Sequence, residues 1–256
     1  VAATEIAFIS DRTGHRELYV AAADGRDQRP ATRSNTLKLA PDWLPDGRAI
    51  LYVAYGALQP GFFLTSRSKD ISPGPILAHV MKGLPKYRGR FDPTGEELAM
   101  VTSVDGAAEI FRVERRGNGT VRLTNHPAID ISPSWSPDGR EIVFVSDRSG
   151  APQLYVMDRD GGNLRRLTFT GAYNASPAWS PDGSRIAFIS DRREDRDITS
   201  NSDLFVVSAS GSEPSGEMDV WSARLSSVAA LAWSPDGQAI AVVGSDDGEV
   251  DAGLQG

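Results

Sequence analysis

Short runs of alternating apolar and polar residues, rich in β-branched and aromatic side chains, fill the chain, and glycine, proline and Asp-Gly pairs separate them. A period of two turns every second side chain to the same face, so each run predicts a strand with a buried side. In the best-formed stretch the runs predict strands over residues 132–136, 141–146, 153–158 and 164–168. Asp24-Gly25 and Asp160-Gly161 fall between third and fourth strands, where a tight hairpin needs positive φ. No stretch of useful length has helical periodicity, so the pattern predicts an all-β fold.

The four-strand unit is repeated. SPSWSPDGREIVFVSDR, from Ser132, returns 44 residues later as SPAWSPDGSRIAFISDR, from Ser176. Pro45-Asp46-Gly47, Pro137-Asp138-Gly139, Pro181-Asp182-Gly183 and Pro235-Asp236-Gly237 mark its phase, and Pro93-Thr94-Gly95 is a degenerate copy. Two positions ahead of each stands an aromatic: Trp43, Phe91, Trp135, Trp179 and Trp233. Ile6 to Arg12 aligns with Ile186 to Arg192, which puts a sixth copy at the N-terminus and sets repeat phases near 1, 45, 93, 137, 181 and 235. Spacings of 44 to 54 residues suit the four-stranded blade of a β-propeller and exceed a leucine-rich repeat.

Trp-Ser-Pro-Asp-Gly, then Ile-Ala-Phe-Ile-Ser-Asp-Arg, then Leu-Tyr-Val-Met-Asp and Arg-Arg-Leu-Thr, resembles the repeat of TolB-like β-propellers over nearly the whole chain. The second and third copies depart from it, with Ala54-Tyr55-Gly56 and Thr102-Ser103-Val104 in place of Ser-Asp-Arg. The expectation is a single propeller domain over residues 1–256, of four-stranded antiparallel blades, six in number and incomplete at both ends. The resemblance implies a non-catalytic protein-protein interaction platform of the bacterial envelope, periplasmic, within a larger complex or a longer polypeptide.

Composition narrows the function classes. With 27 Lys plus Arg against 34 Asp plus Glu, the net charge of −7 argues against nucleic acid as a partner. The absence of cysteine removes disulfides, thiolate metal sites and cysteine nucleophiles. The longest apolar run, residues 49–58, is far short of the roughly 18 residues of a membrane span. A cleavable export signal is not visible, so any such signal is expected to have been removed or to lie outside these residues.

Candidate partner-binding residues cluster on the loops after the second strands and between blades, which share one face of a propeller. They are Asp11, Arg12 and His15 in the first copy, Tyr55 in the second, Asp147 and Arg148 in the fourth, and Asp191 and Arg192 in the fifth. His126 and Tyr173, with Asp130 and Asn174, join them from inter-blade loops, and Trp221 is the one Trp outside the seam register. A competing reading makes the recurring Ser-Asp-Arg structural, with Asp closing its turn and Arg bridging to the next blade.

Two acidic stretches, residues 191–197 and 246–251, hold carboxylates of the kind that bind calcium. The first is interleaved with Arg192, Arg193 and Arg196, which favours a self-neutralised loop, and no cofactor is expected. The alternative function is a propeller-type hydrolase or lyase acting on glycan or peptide, with a cation in the central funnel. Against it, there is no Gly-x-Ser-x-Gly elbow and no His-Glu-x-x-His, and His79 falls near an outer strand, away from His15 and His126.

Overall fold

The structure is a computed structural model that describes residues 5–34, 36–55, 59–66, 74–191, 202–211, 219–220, 227–245 and 254–255. The described residues are all β, with no helix long and apolar enough to cross a membrane. The chain divides into two compact units, residues 1–125 and 126–256.

The first unit holds three antiparallel sheets. They are β1 (Glu5–Ser10), β2 (Glu17–Ala22) and β3 (Arg29–Pro30); β4 (Lys38–Trp43), β5 (Ala49–Tyr55), β6 (Pro60–Ser66) and β7 (Gly74–Ile76); and β8 (Lys86–Phe91), β9 (Glu97–Val104), β10 (Ala107–Glu114) and β11 (Val121–Arg122). The second unit repeats the plan with β12 (Asp130–Trp135), β13 (Glu141–Ser146), β14 (Gln153–Asp158) and β15 (Arg165–Arg166); β16 (Tyr173–Trp179), β17 (Arg185–Asp191), β18 (Asp203–Ser208) and β19 (Asp219–Val220); and β20 (Ser227–Trp233), β21 (Ile240–Ser245) and β22 (Leu254–Gln255). Every sheet is a meander in chain order.

Among the described residues six full four-stranded blades are not found: four sheets have four strands, and the first and last have three each. By repeat phase, β1 to β3 fill the second to fourth strand positions, and β20 to β22 the first to third.

The two middle strands predicted in the fourth copy match β13 and β14, while the outer two are displaced for physical reasons. The innermost strand begins two residues early because a bulge between Ile131 and Ser134, with Ser132 at φ 56°, carries the ladder back to Asp130 opposite Ser146. The same bulge recurs with Ala40 and Ser176 at positive φ. The outermost strand shrinks to Arg165–Arg166 because the Leu154 N–H donates to the Thr168 hydroxyl (2.9 Å), which ends the ladder with a side chain.

The cores sit at seams between successive sheets. In the first unit Leu51, Val53, Phe62 and Leu64 of one sheet pack on Phe91, Leu98, Met100 and Phe111 of the next. In the second, Val143, Val145, Leu154 and Val156 pack with Trp179, Ile186, Phe188 and Phe205. In the second unit the repeated aromatic stitches the seams: Trp179 Nε1 donates to the Ser134 carbonyl (3.2 Å) and Trp233 Nε1 to the Ala178 carbonyl (3.1 Å). A lone sheet would leave both faces of its apolar strands in water, which is why the unit is repeated.

Candidate functional site

The second-to-third-strand turns and the inter-sheet connectors leave the same end of each sheet, because four antiparallel strands reverse direction three times. Most of the candidate residues in the described set lie at this end.

In the second unit, Arg148 is largely covered. Its guanidinium lies over the Phe144 and Tyr155 rings (5.5 and 5.1 Å to the centroids), its Nε donates to Ser146 Oγ (2.8 Å) and its Nη2 to Asp130 Oδ2 (2.8 Å). Asp147 Oδ1 accepts the Ile129 N–H (2.8 Å), which pins the connector leading into β12. Both contacts stay within the blade and its connector, so Arg148 does not bridge to the next blade, while the Asp147 carbonyl closes its own turn on the Gly150 N–H (2.8 Å). Arg12 repeats the arrangement over Phe8 and Tyr19, with Nε on Ser10 Oγ (2.9 Å), but remains exposed.

Asp11 is exposed and its carbonyl accepts the Gly14 N–H. His126 is exposed, with Nδ1 accepting the Ala128 N–H (3.1 Å). Tyr173 is 51% exposed and stands opposite Asp191 across the β16–β17 ladder. Asp191 Oδ1 is buried and has no hydrogen-bond partner among the described residues. His79 follows the outer strand β7, as its position in the repeat implies. Arg192, Trp221, the acidic insertion and the acidic tail at 246–251 lie outside the described residues. Among the described residues no three His, Asp or Glu side chains gather as a metal site.

Sequence reasoning named Tyr55 and Tyr173 at this end and missed Ile129, Phe169 and Leu37 beside them in the connectors. Ile129 (50% exposed) and Phe169 (47%) sit on the connectors into β12 and β16, beside Tyr173 in the chain order, and Arg166 covers one face of the Phe169 ring at 4.9 Å. In the first unit Leu37 and Tyr55 are both exposed and are joined by Tyr55 N–H to the Leu37 carbonyl (3.3 Å). Their signal was their place in connectors, where an apolar side chain has no sheet to cover it.

His15 lines a cleft of about 410 Å³ with Thr13, Glu17, Tyr19, Pro30, Thr32 and Arg33. Glu17 of this lining is held in a buried ion pair, Lys38 Nζ to Glu17 Oε2 at 2.8 Å. Burial alone would raise the Glu17 carboxyl, but hydrogen bonds from Lys38, the Thr32 hydroxyl and the Ser34 N–H hold it below the ordinary range. The clasp is repeated: Thr124 donates to Glu109 and Thr168 to Gln153, each fifteen residues on, as Thr32 does to Glu17.

The innermost strands of the first unit carry Asp42, Arg88 and Arg90, with Arg90 Nη1 4.0 Å from Asp42 Oδ1. Desolvation raises the Asp42 carboxyl against the pull of both arginines. Desolvation and the neighbouring Arg90 charge push Arg88 down to about 10, with Asp42 opposing. The matching positions of β12 and β16 hold only Ser132, Ser134, Ser176 and Ala178, so these charges belong to the first unit and are not repeated in those strands.

Meandering antiparallel sheets stacked through a repeated aromatic seam define a β-propeller of antiparallel blades. Within that class the chain belongs to the TolB beta propeller domain family, whose model matches residues 1–216. It is 40% identical over 133 residues to the Tol-Pal system protein TolB of Anaeromyxobacter dehalogenans, an alignment covering 52% of this chain and 30% of that protein. It superimposes on the crystal structure of TolB from Acinetobacter baumannii with a TM-score of 0.81 at 26% identity, covering 99% of this chain and 61% of that one. Oligogalacturonate lyase from Vibrio parahaemolyticus shares the fold alone (TM-score 0.62, 14% identity, 97% of this chain and 74% of that one).

Proposed function

We propose that this propeller is a non-catalytic interaction platform of the bacterial envelope, acting in the periplasm on a protein or peptide partner. Residues 1–256 are read as one domain of a longer polypeptide. The observation that carries the reading is the exposed apolar set Ile129, Phe169 and Tyr173 at the connector end of the second unit, edged by His126. Exposed aromatics rimmed by polar groups are the usual anchors of protein contacts. Asp11, Arg12, His15 and Tyr55 belong to the corresponding end of the first unit. Arg148 contributes by holding its turn, because its guanidinium is already committed to Asp130 and two rings. Membership of a family with Tol-Pal relatives supports the envelope setting.

The test is capture from envelope extract with cross-linking mass spectrometry, comparing the wild type with a Phe169→Ala, Tyr173→Ala double variant. One partner whose cross-links fall on these connectors, and whose recovery drops at least tenfold in the variant, supports the reading. Equal recovery by both proteins removes this surface from it.

A further inference from the structure

Five residues before the seam aromatic, the first strand carries a buried polar side chain in four successive blades: Lys38, Lys86, Asp130 and Asn174. Three of the four have a polar partner, although Asp130 Oδ1 is left without one among the described residues. Lys38 pairs with Glu17 and donates to the Ser34 and Thr36 carbonyls. Asp130 accepts from Arg148 (2.8 Å), and Asn174 Nδ2 donates to the Thr170 carbonyl (3.1 Å). Lys86 is 5% exposed, and among the described residues it makes no ion pair and no hydrogen bond through its ammonium.

The register explains the difference. Glu17 stands at the head of its blade's third strand, next to Leu18, which faces Ile9. In the following blade Phe62 faces Val53, so Gly61 occupies the position of Glu17. Pro30 faces Tyr19 as Pro75 faces Phe63, which puts Leu77 where Thr32 stood. Both groups that would answer a lysine at this seam are therefore absent, while the lysine is retained. A Cβ added to Gly61 would meet only the Phe63 ring, at 3.8 Å, so a side chain can leave this position without a clash at its first atom. Desolvation alone pushes the Lys86 ammonium below its usual range, with no acid pulling it back. Tyr55, at the mouth of the β5–β6 hairpin that carries Gly61, and Tyr87, beside Lys86, are both exposed and flank the position in sequence. The Lys86 side chain is buried along most of its length, and a carboxylate brought to its ammonium supplies the counter-charge that the register leaves out.

We propose that the seam between β6 and β8 is a carboxylate-binding site, in which the Lys86 ammonium beside Gly61 receives a carboxylate brought by a ligand, as Lys38 receives that of Glu17. The carboxylate belongs either to an acidic residue of a bound peptide or to a free small dicarboxylate. Only the peptide form rests on the interaction platform proposed above.

Thermal unfolding of the intact domain at constant ionic strength tests it, with glutarate, an end-blocked Gly-Gly-Glu-Gly-Gly peptide and the same peptide with Gln as probes. The wild type is expected to show a saturable rise in Tm with a carboxylate probe and none with the Gln peptide. Lys86→Met, which removes the charge, and Gly61→Glu, which builds the missing counter-ion, are each expected to abolish the response. Gly61→Glu is also expected to raise Tm without any probe. Response to the peptide alone assigns the carboxylate to a partner, and response to glutarate assigns it to a small molecule whatever becomes of the platform. No response to either probe in the wild type overturns the site, and so does an equal response in Gly61→Glu, which retains a charged, foldable domain if Lys86→Met fails to fold.

Discussion

At the residue scale, the turn after each first strand shows how a repeated motif keeps its chemistry while its letters change. Ser180 donates to Asp182 (2.6 Å) and accepts the Arg185 N–H (2.9 Å), and Ser136 with Asp138 and Ser234 with Asp236 do the same. The degenerate copy Pro93-Thr94-Gly95 reverses the roles: Asp92 accepts the Thr94 hydroxyl (2.6 Å) and the Glu96 and Glu97 N–H groups (3.0 and 2.9 Å). Sequence reading placed the turn and missed the exchange, because Asp92 lies outside the tripeptide that marks it. Asp92→Ala is expected to cost about 1–3 kcal/mol, since it leaves three donors without the acceptor that closes the turn. The double variant Asp92→Ser, Thr94→Asp is expected to stay within about 0.5 kcal/mol of the wild type, because it rewrites the bonds in the common form. Urea unfolding compares them, and a double variant as unstable as Asp92→Ala would show that the exchange does not preserve the turn.

At the element scale, the third and fourth strands of a blade are joined by a side-chain clasp as well as by their ladder. Thr168 is fully buried, accepts the Leu154 N–H and donates to Gln153 Oε1 (2.8 Å). Thr168→Val keeps the volume and loses both bonds, so a loss of about 1–3 kcal/mol is expected, with faster amide exchange at Leu154. Exchange at Leu154 that matches the wild type would mean that backbone pairing alone protects this edge. Strand positions were legible from alternation, and the middle strands β13 and β14 fall where it placed them. The ends were not, since they are decided by Ser132 at positive φ and by a threonine hydroxyl that replaces a ladder bond, neither of which changes the hydrophobic pattern.

At the scale of the whole molecule, the repeated turns make stability depend on acid. Hydrogen bonds from serine hydroxyls and backbone N–H groups hold Asp138 and Asp236 below the ordinary carboxylate range, and hold Asp182 down at about 2. These groups bind protons less readily folded than unfolded, so the stability they supply is complete above the unfolded value of about 4 and is lost as pH falls toward 2. Urea midpoints measured from pH 7 to pH 2.5 are expected to stay level to about pH 4.5 and then drop. The triple variant Asp138→Asn, Asp182→Asn, Asp236→Asn is expected to drop less over the same interval, and an unchanged acid limb would assign the effect to other carboxyls, Glu17 among them.

The sequence by itself determined the strands, the blade phase and the seam aromatics, because period-two alternation, Asp-Gly hairpins and a recurring Trp are local signals that repetition amplifies. What the charged loops do was decided only by the tertiary structure. Ser-Asp-Arg reads equally as a recognition motif and as a structural one until Arg148 is seen on Asp130, eighteen residues away in the chain. Lys38 and Lys86 are the same letter at the same phase, yet the preceding blade gives one Glu17 and the other Gly61. The reason is physical: a side chain's electrostatic partner is set by cross-strand and cross-seam register, which brings together residues that no single repeat contains.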